Sequence, residues 1–230
     1  MMNLNRGTEL ELSRTDLEWA QYLGAEKEFS FYEVCKRWMD IIGALLGLVL
    51  FSWLFLIVAI WIKIEDPKGP VFFRQTRVGR YGKPFTIYKF RSMVQGAEQM
   101  LDQIRHLNEI DGHMFKIRND PRVTRIGRIL RKTSIDELPQ FVNVLKGDMS
   151  LVGPRPPLPS EVEEYSSRHR RRLLVTPGCT GLWQISGRNR LSFEQMVELD
   201  LEYIRRRCIA LDLKIILKTV LVLFGSKDAY

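Results

Sequence analysis

Two adjacent acidic residues, Asp136 and Glu137, are the strongest candidates for chemistry in this sequence. Their neighbours along the chain are basic, with Arg131 and Lys132 upstream and Lys146 downstream. Carboxylates among cations and helix N–H groups are expected to stay ionised at neutral pH. An ionised Asp can attack phosphorus or bind Mg²⁺. Because adjacent helical residues point about 100° apart, we expect separate roles, one acid as nucleophile and the other as base or metal ligand.

The same acids also fit a purely structural role. Ser134 and Glu137 have the three-residue spacing of a capping box. Asp136 would then be stabilised by the positive end of the helix dipole. The pattern predicts a helix over 135–145 that is ended by Gly147. On the local pattern alone, the capping role is favoured over the catalytic one.

Several basic residues elsewhere could bind phosphate. Lys89 and Arg91 alternate with aromatic residues and would share one face of a strand. Arg155 lies between two prolines, which fix the backbone that presents its guanidinium for bidentate phosphate binding. Arg188 is a weaker candidate. The structural alternatives are a solvated strand face for Lys89 and Arg91 and a salt bridge for Arg155.

The elements that must position these residues are predicted to be short and mixed. Two β-prone runs, 71–73 and 85–88, flank a Gly-rich turn and predict a hairpin. The apolar tail 209–224 suits a helix at a membrane interface or in a core. The other predicted helices cover 97–109, 123–130 and a segment that a Ser192/Gln195 capping box opens toward Arg207.

Composition restricts the class of protein. With 230 residues, 45% hydrophobic and 27% charged, the chain is neither disordered nor a multi-span transporter. Net charge is +8, although residues 1–40 hold five Lys/Arg against eight Asp/Glu. The basic remainder favours an anionic partner: nucleic acid, a phosphorylated small molecule or an anionic membrane. Three separated cysteines and three scattered histidines argue against a disulfide scaffold or zinc site and for a reducing compartment.

Residues 41–62 form an uncharged apolar run that is long enough to cross a bilayer, which needs about 20 residues. A buried soluble helix is the less favoured alternative, because such a helix rarely lacks a polar face. Both flanks are basic, and cytoplasmic flanks are normally the basic ones. A re-entrant helix with both ends on the cytoplasmic side accounts for this. Gly43, Gly47 and Ser52 could loosen such a helix, but the run contains no proline to break it.

Together these motifs resemble the monotopic phosphoglycosyl transferases, the bacterial sugar transferases that begin glycan assembly on undecaprenyl phosphate. The resemblance extends from residue 36 to about 220, and its long central block is highly specific. The matching segments are KRWMD (36–40), GPVFFRQTRVG (69–79), YKFRSM (88–93), DPRVTRIGRILRKTSIDELPQFVNVLKGDMSLVGPRP (120–156), PGCTGLWQISGRN (177–189) and the D-x-x-Y of Asp200 and Tyr203.

The resemblance implies a ping-pong mechanism. Asp136 would attack the sugar-bearing phosphorus of a UDP-sugar and release UMP, and the phospho-sugar would pass to undecaprenyl phosphate. Glu137 is implied as a base or carboxylate partner, and Mg²⁺ as the cofactor, held by Asp136. Segment 183–189 looks more like that of hexose-1-phosphate members of the family. The basic residues that match family positions around the phosphates are Lys89, Arg131 and Arg155.

The resemblance also implies an organisation. We expect an α+β fold anchored by one re-entrant helix, with a small β-hairpin, several short helices and amphipathic interfacial helices. Residues 1–35, whose first 30 lie outside the resemblance and are polar and acidic, would form an acidic arm, 36–68 the membrane helix and flanks, and 69–230 a catalytic domain on the cytoplasmic face of the bacterial inner membrane. In the family a Ser-Pro pair breaks the re-entrant helix, and Trp53 stands here in place of that proline, which puts the break in doubt.

The partners implied are a UDP-sugar, undecaprenyl phosphate and membrane lipid, without nucleic acid, and the sequence leaves a homodimer open. Two functions of other classes compete with the transferase. A non-catalytic membrane module would bind anionic lipid or a partner enzyme through its basic face and would tolerate loss of Asp136 and Glu137. A membrane-tethered nucleic-acid binder, suggested by charge alone, would show steeply salt-dependent binding.

Overall fold

The computed structural model describes residues 31–108, 117, 119–187 and 191–225. Its mixed helices and short strands agree with the predicted α+β class. The strands are β1 (Phe72–Val78), β2 (Pro84–Phe90), β3 (Ser150–Val152) and β4 (Gly178–Thr180). The α-helices are α1 (Phe31–Leu50), α2 (Ser52–Glu65), α3 (Leu101–Ile104), α4 (Arg125–Thr133), α5 (Gln140–Lys146), α6 (Pro159–Glu163), α7 (Ser167–Arg170), α8 (Leu182–Ser186), α9 (Phe193–Arg206) and α10 (Ile209–Gly225).

The predicted apolar helix is bent rather than straight. Phe51 leaves helical geometry at φ −98° and ψ 8°, and α1 and α2 meet at 59°. The Ser52 hydroxyl donates to the Val49 carbonyl at 2.9 Å, a local bond of the kind that bends helices. Among the described residues, neither helix alone has the length and apolarity to cross a bilayer, but the bent pair together does. A break is therefore present beside Ser52 although Trp53 replaces the proline.

The surface of this bent pair is uncovered and apolar. Large side chains stand in the open along both helices, including Leu46 at 65% exposure and Val49 at 73%. Trp53 at 60% and Leu56 at 66% continue the patch past the bend. An apolar surface of this extent is unusual for a soluble protein and typical of contact with lipid or another protein.

The predicted hairpin is confirmed. β1 and β2 pair antiparallel from Phe72 opposite Phe90 to Val78 opposite Pro84, and Tyr81 in the turn has φ 58°. Directly paired residues share a face of the ribbon. Since Lys89 lies opposite Phe73, the alternation along β1 places its side chain on the same face as that of Arg77.

The predicted capping box is wrong. Ser134 has left-handed backbone angles (φ 56°), which end α4, and its side chain does not cap the turn that follows. Residues 135–137 form a 3₁₀ turn, and α5 begins only at Gln140. A continuous helix would need the N–H of residue 139 to bond the carbonyl of residue 135, and Pro139 has no N–H to give. The predicted end at Gly147 is confirmed by its φ of 88°.

The largest group of buried apolar side chains packs α9 and α10 against β3. Val152, Val197 and Ile215 are fully buried in it. The Ser192/Gln195 capping box opens α9 as predicted. The predicted tail helix is confirmed as α10. The helix predicted over 123–130 is present as α4, which begins and ends a few residues later, at Arg125 and Thr133. The helix predicted over 97–109 is shorter, because it consists of α3 and a 3₁₀ turn at Arg105–Leu107, and its end lies outside the described residues.

Candidate active site

The acid pair lies on the 3₁₀ turn Ile135–Glu137, which packs against β2. Lys89 reaches across from β2, and its Nζ lies 2.7 Å from Oε1 of Glu137. The two acids have different environments, since Asp136 is only 7% exposed and the Glu137 side chain 37%. Glu137 therefore holds a lysine rather than capping a helix, and the turn presents two carboxylates of unlike character.

Burial dominates the acidity of Asp136. It raises the pKa of this carboxyl from 3.8 to about 6, an effect that Lys89 and Arg131 oppose and the charge of Glu137 reinforces. Loss of solvation thus outweighs the surrounding cations, although the carboxyl still meets the expectation that it is ionised at neutral pH. A pKa of about 6 still leaves the ionised form dominant at neutral pH.

Arg131 is positioned by a close packing contact. Its Nε donates to the Ser92 hydroxyl at 2.9 Å, and its charge acts on Asp136. Helix α4 can pack closely against the segment that contains Ser92, because Gly127 faces Ser92 and has no side chain. A Cβ on Gly127 would lie 2.0 Å from the Ser92 carbonyl oxygen. The structure thus brings Arg131 and Lys89 to the acid pair, as the sequence predicted.

Arg155 makes the salt bridge that was its structural alternative. Its guanidinium contacts both carboxylate oxygens of Glu161, with Nη1 to Oε2 at 3.0 Å. Glu161 also accepts from the Leu158 N–H at 2.8 Å, so the carboxylate is fixed at the start of α6. About a quarter of the Arg155 side chain is exposed. The salt bridge orients the guanidinium, and the exposed part can still meet a phosphate.

Arg77 belongs with this group, although the sequence analysis did not single it out. Its Nη1 donates to the Pro156 carbonyl at 3.1 Å and its Nη2 to the Gln75 side chain at 2.7 Å. Burial and the adjacent charge of Arg155 lower its pKa to about 10, and Glu137 and Glu161 oppose that change. Two guanidiniums thus lie side by side near Glu137. The alternation that placed Lys89 on a hairpin face could have identified Arg77 once the register was known.

Two other predicted phosphate ligands are not part of this group. The Arg91 guanidinium is buried against Asp66 beyond α2, with Nη1 to Oδ2 at 2.5 Å. Arg91 follows the last residue of β2, so strand alternation does not keep it beside Lys89. Arg188 lies outside the described residues.

The site supplies oxygen donors but no cluster of protein metal ligands. In the described ranges, no three His, Cys, Asp or Glu side chains converge as a metal site. Mg²⁺ commonly binds one or two carboxylates together with water and substrate phosphates, so the acid pair fits its preference. The nearby Cys179 is no competing ligand, because burial and the charges of Glu137 and Asp40 raise the pKa of its thiol.

Known proteins share most of this chain. The family described as Bacterial sugar transferase matches residues 31–226. Galactosyl transferase CpsE of Streptococcus agalactiae is 52% identical over 197 residues, 84% of this chain and 43% of that protein. Undecaprenyl-phosphate galactose phosphotransferase of Salmonella typhimurium is 42% identical over 199 residues, 85% of this chain and 41% of that protein.

A third relative is similar in length. Exopolysaccharide production protein ExoY of Rhizobium meliloti is 40% identical over 201 residues, 86% of this chain and 88% of that protein. The chain therefore spans less than half of the first two relatives and most of the third. The shared region contains the acid pair, the hairpin and the bent helix pair. Because the family match covers most of the sequence, this chain belongs to the bacterial sugar transferase family.

Proposed function

We propose that this protein transfers a sugar-1-phosphate from a UDP-sugar to undecaprenyl phosphate and releases UMP. The observation that carries the proposal is the buried carboxyl of Asp136, which lies beside Glu137. The positive charges of Lys89 and Arg131 act on this carboxyl and favour its ionised form. A carboxylate with little solvation is a good nucleophile, and the cations suit a phosphorylated substrate. The relatives from S. agalactiae and S. typhimurium, named as a galactosyl transferase and a galactose phosphotransferase, support a sugar transfer of this kind.

The reaction would proceed in two displacements. An Asp136 carboxylate oxygen attacks the sugar-bearing phosphorus, the bond from that phosphorus to the bridging oxygen breaks, and UMP leaves with the electron pair. A phosphate oxygen of undecaprenyl phosphate then attacks the same phosphorus and regenerates the Asp136 carboxylate. Glu137, held by Lys89, acts as the supporting carboxylate. Arg131, Arg155 and Arg77 bind the phosphate oxygens whose charge changes during the transfer.

Magnesium is proposed as the cofactor, and Asp136 would hold it. Bound there, the ion would neutralise charge on the diphosphate. The two adjacent carboxylates of Asp136 and Glu137 support this assignment, because Mg²⁺ commonly binds one or two carboxylates together with substrate phosphates. Removing divalent cations with a chelator is therefore expected to stop UMP release, and added Mg²⁺ to restore it.

The sugar is proposed to be a hexose and the pathway that of an extracellular polysaccharide. Two relatives are named for galactose, and ExoY is named for exopolysaccharide production. The bent α1–α2 pair and its open apolar surface support a re-entrant anchor in the bacterial inner membrane, with the catalytic domain in the cytoplasm. Labelling of cysteines engineered into residues 1–30 tests this, because labelling from the periplasmic side contradicts re-entry.

Purified protein, undecaprenyl phosphate and Mg²⁺ should release UMP from a UDP-hexose. Asp136→Ala should lower the rate by at least about a thousandfold, since it removes the nucleophile. A matched change in an exposed acid, Glu202→Ala, should leave the rate within about twofold, because it disturbs only a surface ion pair. Full activity in Asp136→Ala would contradict the covalent mechanism. A separate outcome, no UMP from any UDP-sugar with wild type or variants, would favour the non-catalytic membrane module.

A further inference from the structure

A cavity separate from the candidate active site lies where α1 meets the turn before β3 and the junction of α9 with α10. Its volume is about 240 Å³, and none of the residues assigned above to sugar transfer lines it. Its walls carry more cations than acids, and the acids that line it are Glu33 and Asp40. Four cationic side chains of the described residues line it: Lys36, Arg37, Arg80 and Arg207.

Neighbouring acids neutralise only half of these cations. Lys36 pairs with Asp212 at 3.0 Å, and Arg207 pairs with Glu33 at 3.2 Å. Arg37 instead donates to two carbonyls at the end of α5, at 2.6 and 2.7 Å. Arg80 donates to the Tyr81 hydroxyl at 2.9 Å. Within the described part of the chain, neither Arg37 nor Arg80 has a carboxylate partner. The remaining acid, Asp40, accepts from Ser150 and from the Leu151 N–H.

Two buried guanidinium N–H groups at this cavity also lack an acceptor among the described residues. They are Nε of Arg80 and Nη1 of Arg207. A buried donor without an acceptor destabilises the protein, and a charged donor more than a neutral one. The two arginines come from separate parts of the chain, the hairpin turn and the end of α9. Both arginines line the cavity, so an anion there would be attracted by both charges.

We propose that this cavity binds the phosphate group of an anionic membrane lipid. A tetrahedral phosphate fits the volume and offers several acceptors to guanidinium groups. That this phosphate belongs to a membrane lipid is inferred from the helices beside the cavity. This step rests on the proposed membrane anchor. On α10, Leu213, Leu217 and Leu221 are exposed, and on α1 Trp38 and Ile42 are exposed. The cavity is lined by α1 and by Arg207, which precedes α10, so it lies beside two helices whose apolar faces would enter the lipid.

Calorimetric titration of the full chain in neutral detergent tests the site with inorganic phosphate as the probe. Wild type should bind one more phosphate than Arg80→Gln, or bind it at least about tenfold more tightly, as expected for loss of a charged hydrogen bond. Arg206→Gln removes the same charge from the exposed end of α9 and should titrate like wild type. Equal titrations of wild type and Arg80→Gln overturn the proposal.

Two further arms separate this site and its source from the catalytic one. Arg155→Gln should keep the Arg80-dependent phosphate site, and loss of that site in Arg155→Gln would mean that the probe reports the active site. Phosphatidylcholine vesicles containing phosphatidylglycerol should displace the phosphate, whereas pure phosphatidylcholine vesicles should not. Failure of both vesicles to displace it would overturn the lipid source. UMP release by Arg80→Gln in detergent should match wild type, so failure of the sugar transfer is recognised separately.

Discussion

The chemistry of single residues in this protein is set by solvation as much as by charge. Asp136 is buried, so its carboxylate is poorly solvated and its pKa is raised to about 6. Glu137 is more exposed and has a lysine partner at 2.7 Å. The first carboxylate is destabilised by loss of solvation and the second is stabilised by its lysine. This difference is what a covalent phosphoryl transfer would use, with one acid bonding to phosphorus and the other supporting it.

Replacing Asp136 with Asn should abolish UMP release and stabilise the fold. Because the folded pKa (about 6) lies above 3.8, the ionised carboxylate destabilises the folded state by about 3 kcal/mol above pH 6. This destabilisation declines as the pH falls from about 6 to 4, where the native carboxyl is protonated. Thermal unfolding in detergent should show Asp136→Asn more stable at pH 7.5 and nearly equal to wild type at pH 4. A gap that stays constant with pH would contradict the raised pKa.

Replacing Arg77 with Gln should lower kcat/KM for a UDP-sugar by about tenfold to a hundredfold, the range expected for losing one charged hydrogen bond to phosphate. Arg77 is partly buried, its charge interacts with that of Arg155, and it lies on the hairpin face that carries Lys89. Arg74 is the matched control, since it lies on the same strand with its side chain outward over Tyr88. Steady-state UMP release distinguishes the two. Equal losses in Arg74→Gln and Arg77→Gln would assign the effect to overall charge.

At the scale of elements, one buried side chain joins the helix that follows the acid pair to the hairpin. Asn143 of α5 is fully buried. Its Oδ1 accepts from the Tyr88 N–H at 3.1 Å, and its Nδ2 donates to the Thr86 carbonyl at 2.7 Å. These bonds satisfy backbone groups on the outer edge of β2. They fix the backbone next to Lys89, whose side chain contacts Glu137.

Asn143→Ala should destabilise the protein by about 2–4 kcal/mol, because it leaves a buried N–H and a buried carbonyl without partners. UMP release should fall as well, since the position of Lys89 depends on this edge of β2. Val142→Ala, a change on the exposed side of the same helix, should cost less than about 1 kcal/mol. Thermal unfolding and rates measured on the same samples check both. A neutral Asn143→Ala would contradict the anchoring role.

At the scale of the whole molecule, the two ends of the described chain are joined by a buried polar network. Lys36 of α1 pairs with Asp212 of α10, and Tyr32 and Tyr203 donate to the same carboxylate at 3.0 and 2.8 Å. The Asp212 side chain is completely buried. The proposed membrane anchor is thereby fixed to the catalytic domain through charge as well as apolar packing.

Removing one partner of this pair should be worse than removing both. Lys36→Met should destabilise the protein by about 3 kcal/mol or more, because it leaves Asp212 as a buried unpaired charge. Lys36→Met with Asp212→Leu should recover part of that loss. The exposed Arg206–Glu202 pair is the control, and Arg206→Gln should change stability by less than about 1 kcal/mol. A strictly additive double variant would contradict the coupling of the two charges.

Much of this architecture could be predicted from the sequence because its signals are local. The hairpin, the Ser192/Gln195 cap, the helix end at Gly147 and the apolar helix each depend on neighbouring residues. The acid pair and its cations were also identifiable, since their types and spacing match a specific family block. The capping box at Ser134 failed because two local signals competed, and the missing N–H of Pro139 decided against a continuous helix.

Tertiary structure alone decided the character of the site. The pKa of Asp136 depends on how completely distant segments bury it, and no spacing along the chain reports that quantity. Arg91 moved to Asp66 and Arg77 joined Arg155 because strand register and loop packing, rather than residue type, choose the partner of a long basic side chain. The sequence by itself determined the family, bacterial sugar transferase, and which two acids and several cations lie in its matching segments. Folding decided which cations lie close to those acids and which of the two carboxylates is buried away from solvent.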